Sequence, residues 1–219
     1  IPTYNRKDVL EATVRALARQ TVPSLEAIVV DDGSTDGTWE LLLALRDELR
    51  GGLDLVPVRQ ENLKQGRARN NGIAHARGDL VLFLGDDTIP EPACVAEHLA
   101  AHEASNGPRA VIGFTGWHHE KMRVTPFLEF VNGHGPQFSF DLLADGQEVP
   151  FTTLYTSNVS IPRELLLREP FDHRFTSYGW EDCELGWRLS SAGLPIVYRR
   201  AAATRHVHPQ TMSQFLART

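Results

Sequence analysis

Apolar positions in the first half of the chain alternate between short unbroken runs and helical spacing. Ala27-Ile28-Val29-Val30 and Leu80-Val81-Leu82-Phe83-Leu84 are aliphatic or β-branched runs bounded by Gly and Asp, the pattern of strands buried on both faces. Leu10, Val14 and Leu17 instead fall on one face of a helix predicted over Lys7–Gln20. The strand Glu26–Val30 follows, then a polar loop, then a helix near Thr38–Arg50. Leu53–Arg59 reads as an outer strand, because Pro57 cannot donate to a ladder and favours an edge. Gln65-Gly66 opens a third helix that ends near Ala76, with Gly78 as its stop. Pro92 suits a helix N-terminus, and that helix runs to about Ser105 before Asn106-Gly107-Pro108 breaks it. Ala110–Phe114 is a further strand.

From Gly116 to Pro150 no period survives, and a stretch this long inside a domain is usually functional or mobile. Regularity returns with a strand at Tyr155–Ile161, a short helix begun by Pro162, a helix at Glu181–Ala192 and a strand at Pro195–Arg200. Such strand–helix alternation predicts an α/β fold: a three-layer, mainly parallel sheet with right-handed crossovers. No internal repeat or linker interrupts residues 1–219, so one domain is expected.

Composition narrows the picture. Among 219 residues, 42% are hydrophobic and 23% charged, which fits an ordinary globular domain. A net charge of -6 argues against a nucleic-acid partner read through a basic face. No apolar run reaches the length of a membrane span, and no signal-peptide pattern appears. Ile1-Pro2-Thr3 looks like the tail of a strand already under way, so the sequence is expected to be trimmed at its start. Cys94 and Cys183 form no disulfide framework; each is expected to be a small buried hydrophobe in a reducing compartment.

The chemistry concentrates where the strands stop. Asp31-Asp32 and Gly85-Asp86-Asp87 close the two strongest runs, and ligands of open α/β sheets sit beyond such carboxyl ends. Carboxylates gathered at one rim need a cation or hydrogen-bond donors, which points to an oxygen-ligated divalent ion or ribose hydroxyls. Neither a Gly-x-Gly-x-x-Gly fingerprint nor a P-loop is present, which weakens hydride transfer and P-loop phosphoryl transfer. Asp36 is explained by capping the next helix, whereas two acids at a buried strand end are not.

IPTYNR, VVDDGSTDGT, GRARNNGIAHARGDLVLFLGDD and WEDCELGWRL occur in the order and spacing of family 2 glycosyltransferases, and the chain resembles them over nearly its whole length. The resemblance implies a Rossmann-like GT-A fold and an inverting transfer from a nucleotide-diphosphate sugar, most simply a UDP-sugar, to an acceptor hydroxyl. It implies a donor half over about 1–115 and an acceptor half over about 116–219. Pro2, Thr3 and Tyr4 would lie along the base and ribose, Asp31 and Asp32 would receive the base or ribose, and Arg69 would lie near the base or diphosphate. Asp86 would take the ribose and Asp87 the metal, Mn2+ or Mg2+. Gly85 stands where the commonest Asp-x-Asp form has its first Asp, so the ribose contact shifts to Asp86. Asp182 would be the catalytic base, Glu181 would position the acceptor, and Trp180 would stack on a sugar ring or serve the core. His206 would complete the metal site, with His208 as the alternative; His118, His119 and His134 are assigned to loops on the acceptor side. Gln147–Asn158 would close over the donor as a flap. The acceptor would be a carbohydrate or a glycan-lipid, met in the cytoplasm or at the inner face of a membrane without a span in this segment. A non-catalytic nucleotide-sugar-binding module and a sugar-phosphate nucleotidyltransferase are the alternatives, the latter disfavoured because YNRKDV offers no Gly-rich, Arg-bearing loop.

Overall fold

In the computed structural model, which describes residues 1–135, 138–176 and 179–217, the apolar runs become strands that stop where Asp and Gly interrupt them. Strands β1 (Pro2–Thr3), β2 (Glu26–Asp31) and β3 (Asp54–Arg59) form a parallel sheet in the order β1-β2-β3. Helices α1 (Lys7–Leu17) and α2 (Thr38–Glu48) cover one face: Leu10, Val14, Leu42 and Leu45 pack with Ala27 and Val29 in one core cluster. Each such side chain contributes about 1.5–3 kcal/mol by leaving water. Successive residues of a strand face opposite ways, so Ile28 and Val30 meet α3 (Gln65–His75) on the other face. Gly72 permits that approach, since a Cβ there would lie 3.4 Å from Val30 Cγ2.

The second sheet runs β4-β7-β6-β8-β5, from β4 (Leu80–Leu84), β5 (Thr88–Pro90), β6 (Ala110–Trp117), β7 (Asn158–Pro162) and β8 (Ile196–His206). Here the expected parallel arrangement holds for β6 on β8, while β4–β7, β6–β7 and β5–β8 are antiparallel. The long segment before β7 imposes no βαβ crossover, so nothing obliges β7 to run parallel to β4. That segment also holds a helix not expected from its pattern, α5 (Pro126–Gly133), capped by Thr125 and opened by Pro126. Helix α4 (Cys94–Glu103) covers β6 and β8, and α6 (Arg163–Arg168) and α7 (Glu181–Ser191) pack Leu166, Leu185 and Leu189 into the second core with Ile112, Val159 and Ile161. A short α8 (Met212–Leu216) closes the described chain. No helix among the described residues is long and apolar enough to cross a membrane.

Two details of the second sheet set the site. First, β8 continues past the predicted end at Arg200 to His206, held between β5 (Thr88↔His206) and β6 (Trp117↔His206). Second, Gly113 lies against β8 so closely that a Cβ would fall 2.2 Å from Ala202 O, and the β6–β8 register shifts beside it.

Candidate active site

The acidic strand ends converge on a cavity of about 530 Å³. The backbone carbonyls of its two central aspartates are tied down: Thr13 Oγ1 of α1 donates to Asp86 O at 2.9 Å, and Val207 N donates to Asp87 O at 2.8 Å. Gly85 is required by space, because a Cβ would sit 2.6 Å from Thr88 Oγ1 and 3.1 Å from Asp87 Oδ1. That is the physical reason this chain has glycine before its two aspartates.

Asp86 turns toward β1, where Thr3 Oγ1 donates to its Oδ2 at 2.8 Å. Burial, and then the Asp87 charge, push its pKa up to about 6. Asp87 turns toward β8. His206 Nε2 lies 3.1 Å from its Oδ1, and His208 Nδ1 lies 3.0 Å from its Oδ2. Burial works against the Asp87 charge, but His206, His208 and Arg6 outweigh it and hold the carboxyl well below its usual range. His206 stacks on Trp117 with ring centroids 5.3 Å apart, and its buried Nδ1 has no hydrogen-bond partner. Asp87, His206 and His208 offer ligand atoms all within 4.8 Å of one another. One carboxylate and two imidazoles on a strand-pinned frame fit a divalent first-row metal. Both histidines that the sequence offered as alternatives therefore arrive together.

Arg6 is the site residue that sequence reasoning missed. Asn5 adopts φ 53, its amide donates to Ser34 Oγ at 2.9 Å, and its Oδ1 accepts from Thr35 N at 2.8 Å. Asn tolerates this left-handed turn, which reverses the chain from β1 into α1. Arg6 then bonds Asp87 Oδ2 through Nη2 and places Nε 3.6 Å from Asp86 Oδ1. The separation of 81 residues between Arg6 and Asp87 hides this pairing from any local pattern. Trp117 and Phe138 also line the cavity and were not anticipated.

The two aspartates after β2 part company. Asp32 lines the cavity, although its carboxylate already accepts from Gln60 Nε2 and from the amides of Leu63 and Lys64 at 2.7, 2.8 and 2.9 Å. Asp31 points the other way, as alternation along a strand demands. It does not line the cavity: its Oδ1 takes Ser34 N at 2.8 Å and its Oδ2 faces Arg59 Nε at 3.5 Å. Its place is beneath the loop, outside the cavity lining. Pro2, Thr3 and Tyr4 line the cavity.

Opposite the metal candidates, Arg69 and Glu181 form a buried pair at 2.7 Å. Arg69 is not a solvated helix residue; its Nη2 also reaches Gln65 Oε1 at 2.9 Å, and its guanidinium lies over Phe171. Glu181 Oε2 is buried without a hydrogen-bond partner. Asp182 Oδ1 accepts from Cys183 N at 2.9 Å, and its pKa is raised by burial and by Glu181, against the pull of Arg69. Both acids line the cavity. Trp180 is 73% exposed, which excludes a core role, and stands at the cavity rim between the lining residues Gly179 and Glu181 without lining it. His118, His119 and His134 lie away from the lining. In the expected flap, Gln147 and Val149 are tied to β8 by backbone bonds, and only Tyr155–Ser157 reach the cavity. Cys94 is buried as expected, whereas Cys183 is half-buried.

A three-layer α/β domain with paired carboxylates beyond its strand ends defines the class: this is a GT-A fold. The chain belongs to Glycosyl transferase family 2, which matches residues 1–158. Among its relatives, validoxylamine A glucosyltransferase of Streptomyces hygroscopicus subsp. jinggangensis is 34% identical over 91% of this chain and 52% of its own. Chondroitin synthase of Pasteurella multocida is 28% identical over 88% of this chain and 23% of its own. The chain spans about half the length of the curated glucosyltransferases that it matches. Mannosyltransferase PcManGT of Pyrobaculum calidifontis, solved with GDP-Man and Mn2+, superposes with a TM-score of 0.73 at 21% identity, covering 96% of this chain and 56% of that one. S. aureus TarS 1-349, solved with UDP, superposes with a TM-score of 0.70 at 20% identity over 93% of this chain and 57% of its own.

Proposed function

We propose that this domain transfers a sugar from a nucleotide-diphosphate sugar, most simply a UDP-sugar, to a carbohydrate hydroxyl by a single inverting displacement. The observation that carries the reading is that Asp182 shares one cavity with Asp86, Asp87, His206 and His208. Relatives of this fold have been solved with UDP and with GDP-Man and Mn2+, which supports a nucleotide-sugar donor and a metal.

Pro2, Thr3, Tyr4 and Asp32 line the side of the cavity that would receive base and ribose, and Asp86 is the carboxylate placed for the ribose hydroxyls. Asp87, His206 and His208 would hold Mn2+ or Mg2+, which when bound neutralises charge on the leaving diphosphate. The chain's own work is proton transfer and positioning. Asp182 takes the proton of the acceptor hydroxyl as that oxygen attacks the anomeric carbon on the face opposite the leaving group. Its raised pKa keeps it basic enough to hold that proton. Glu181, fixed by Arg69, leaves Oε2 toward a hydroxyl, and Trp180 offers an exposed ring on which an acceptor sugar stacks. Residues from 1 to about 115 would supply most of the donor half of one domain and those from about 116 to 219 the acceptor half, with His206 and His208 reaching across to Asp87.

Asp182→Asn tests the reading. Transfer should fall by at least about 100-fold, the scale of general base catalysis, while UDP affinity stays within about twofold. Nucleotide binding with full activity in Asp182→Asn removes the assigned base; nucleotide binding without transfer in the wild type makes the chain a binding module.

A further inference from the structure

Arg6 has no part in the transfer step, yet it touches both members of the acidic pair. Its Nη2 occupies Asp87 Oδ2, the oxygen that also lies 3.0 Å from His208 Nδ1, and its Nε is 3.6 Å from Asp86 Oδ1. Its backbone is fixed, because Arg6 O accepts from Val9 N at 3.2 Å and Leu10 N at 3.1 Å at the start of α1. Its side chain is 34% exposed and lines the cavity, so the head can move while the stem stays anchored. Arg69, also in the lining, is held by Glu181 and Gln65 and faces neither Asp86 nor Asp87.

Adjacent carboxylates in a buried site repel unless a cation compensates them. A divalent ion on Asp87 Oδ2 and a guanidinium on the same oxygen would be two cations within a few ångströms, which repel strongly at the low effective dielectric of a cavity wall. They exclude one another. A displaced guanidinium has a matching destination, since its planar fork pairs with phosphate oxygens in two-point contacts.

We infer that Arg6 is a displaceable counterion: it holds Asp87 Oδ2 before a divalent ion arrives, and moves to the anionic oxygens of a nucleoside diphosphate once the ion has taken the Asp87 carboxylate. The inference rests on the proposed metal and nucleotide reading of this cavity.

Calorimetric titration of the nucleotide-free protein with Mn2+ tests the first half. Arg6→Met should bind Mn2+ about tenfold more tightly than wild type, because a competing charge is gone. Arg6→Lys should fall between the two, since a single ammonium cannot span both carboxylates, and it serves the same comparison if Arg6→Met does not fold. Titration with UDP at saturating Mn2+ tests the second half, with Arg6→Met expected to bind about tenfold more weakly. Mn2+ affinity in both Arg6 variants equal to or below wild type overturns the competition, and unchanged UDP affinity overturns the move to the diphosphate. Asp87→Asn separates the two levels. If it loses Mn2+ while the Arg6 variants bind as wild type, only the role of Arg6 fails; if it keeps Mn2+ binding, the metal reading fails and this inference with it.

Discussion

Removing the Arg69 guanidinium is the sharpest test of what the buried Arg69–Glu181 pair does in the cavity wall. Arg69 and Glu181 are paired at 2.7 Å with side chains only 7% and 6% exposed. Arg69→Met therefore leaves the Glu181 carboxylate buried with Oε2 already lacking a partner. Breaking a buried pair from one side costs about 3–5 kcal/mol. In a domain of this size that lowers Tm by about 6–20 °C, measurable by thermal unfolding. Catalysis should respond as well. Asp182 has its pKa raised by burial and by Glu181, and Arg69 is the charge that opposes them. Without Arg69 the pKa of Asp182 rises further, so the base is lost at a higher pH and the acid limb of the rate profile moves upward. Removing both partners, Arg69→Met with Glu181→Met, should recover most of the stability, because no unpaired buried charge remains. Arg69→Met within about 1 kcal/mol of wild type, with an unmoved acid limb, would refute the argument.

Two further outcomes are expected. Gly85→Ala should cost about 1–3 kcal/mol, since its Cβ falls 2.6 Å from Oγ1 of the fully buried Thr88, and should weaken Mn2+ binding through Asp87. Thr88→Ala in the same chain should restore part of both losses, and a double variant as weak as the single one contradicts the steric cause. His98 is buried between Ser160 Oγ and Asn158 Oδ1, each 2.9 Å from a ring nitrogen, and burial pushes its pKa down to about 4. The unfolded chain takes that proton near pH 6.5, so this stability is present above about 6.5 and lost as pH falls toward 4, up to about 3 kcal/mol. Urea unfolding of His98→Gln across that window should show a flatter pH dependence; an equal slope would assign the acid sensitivity to other groups.

The residues explain which parts of this protein could be foreseen. The β2 and β4 runs are legible as unbroken aliphatic stretches, and Asp32, Asp86 and Asp87 beyond them line the cavity. The last strand was half-read: its apolar pattern stops at Arg200, but Ala201–Arg205 extend because β5 and β6 flank them. Strand β5 is three residues inside an Asp- and Pro-rich stretch, and only pairing with β8 gives it form. Asp31 and Asp32 look alike in sequence, whereas alternation along the strand sends Asp32 to the cavity and Asp31 under the loop. The Arg69–Glu181 pair joins residues 112 positions apart, and no local pattern carries it.

Strand pairing at the metal candidates bears on how the molecule holds itself together. Asp87 and His208 are 121 residues apart, and Val207 N already ties back to Asp87 O. An ion shared by them would close that span as a clasp, drawing the end of β8 against the loop after β4. By mass action such an ion adds about 2.7 kcal/mol of stability at a concentration one hundred times its Kd. Resistance to proteolysis in the C-terminal segment would then follow divalent-ion concentration, and an ion held at this cluster would also fasten the fold.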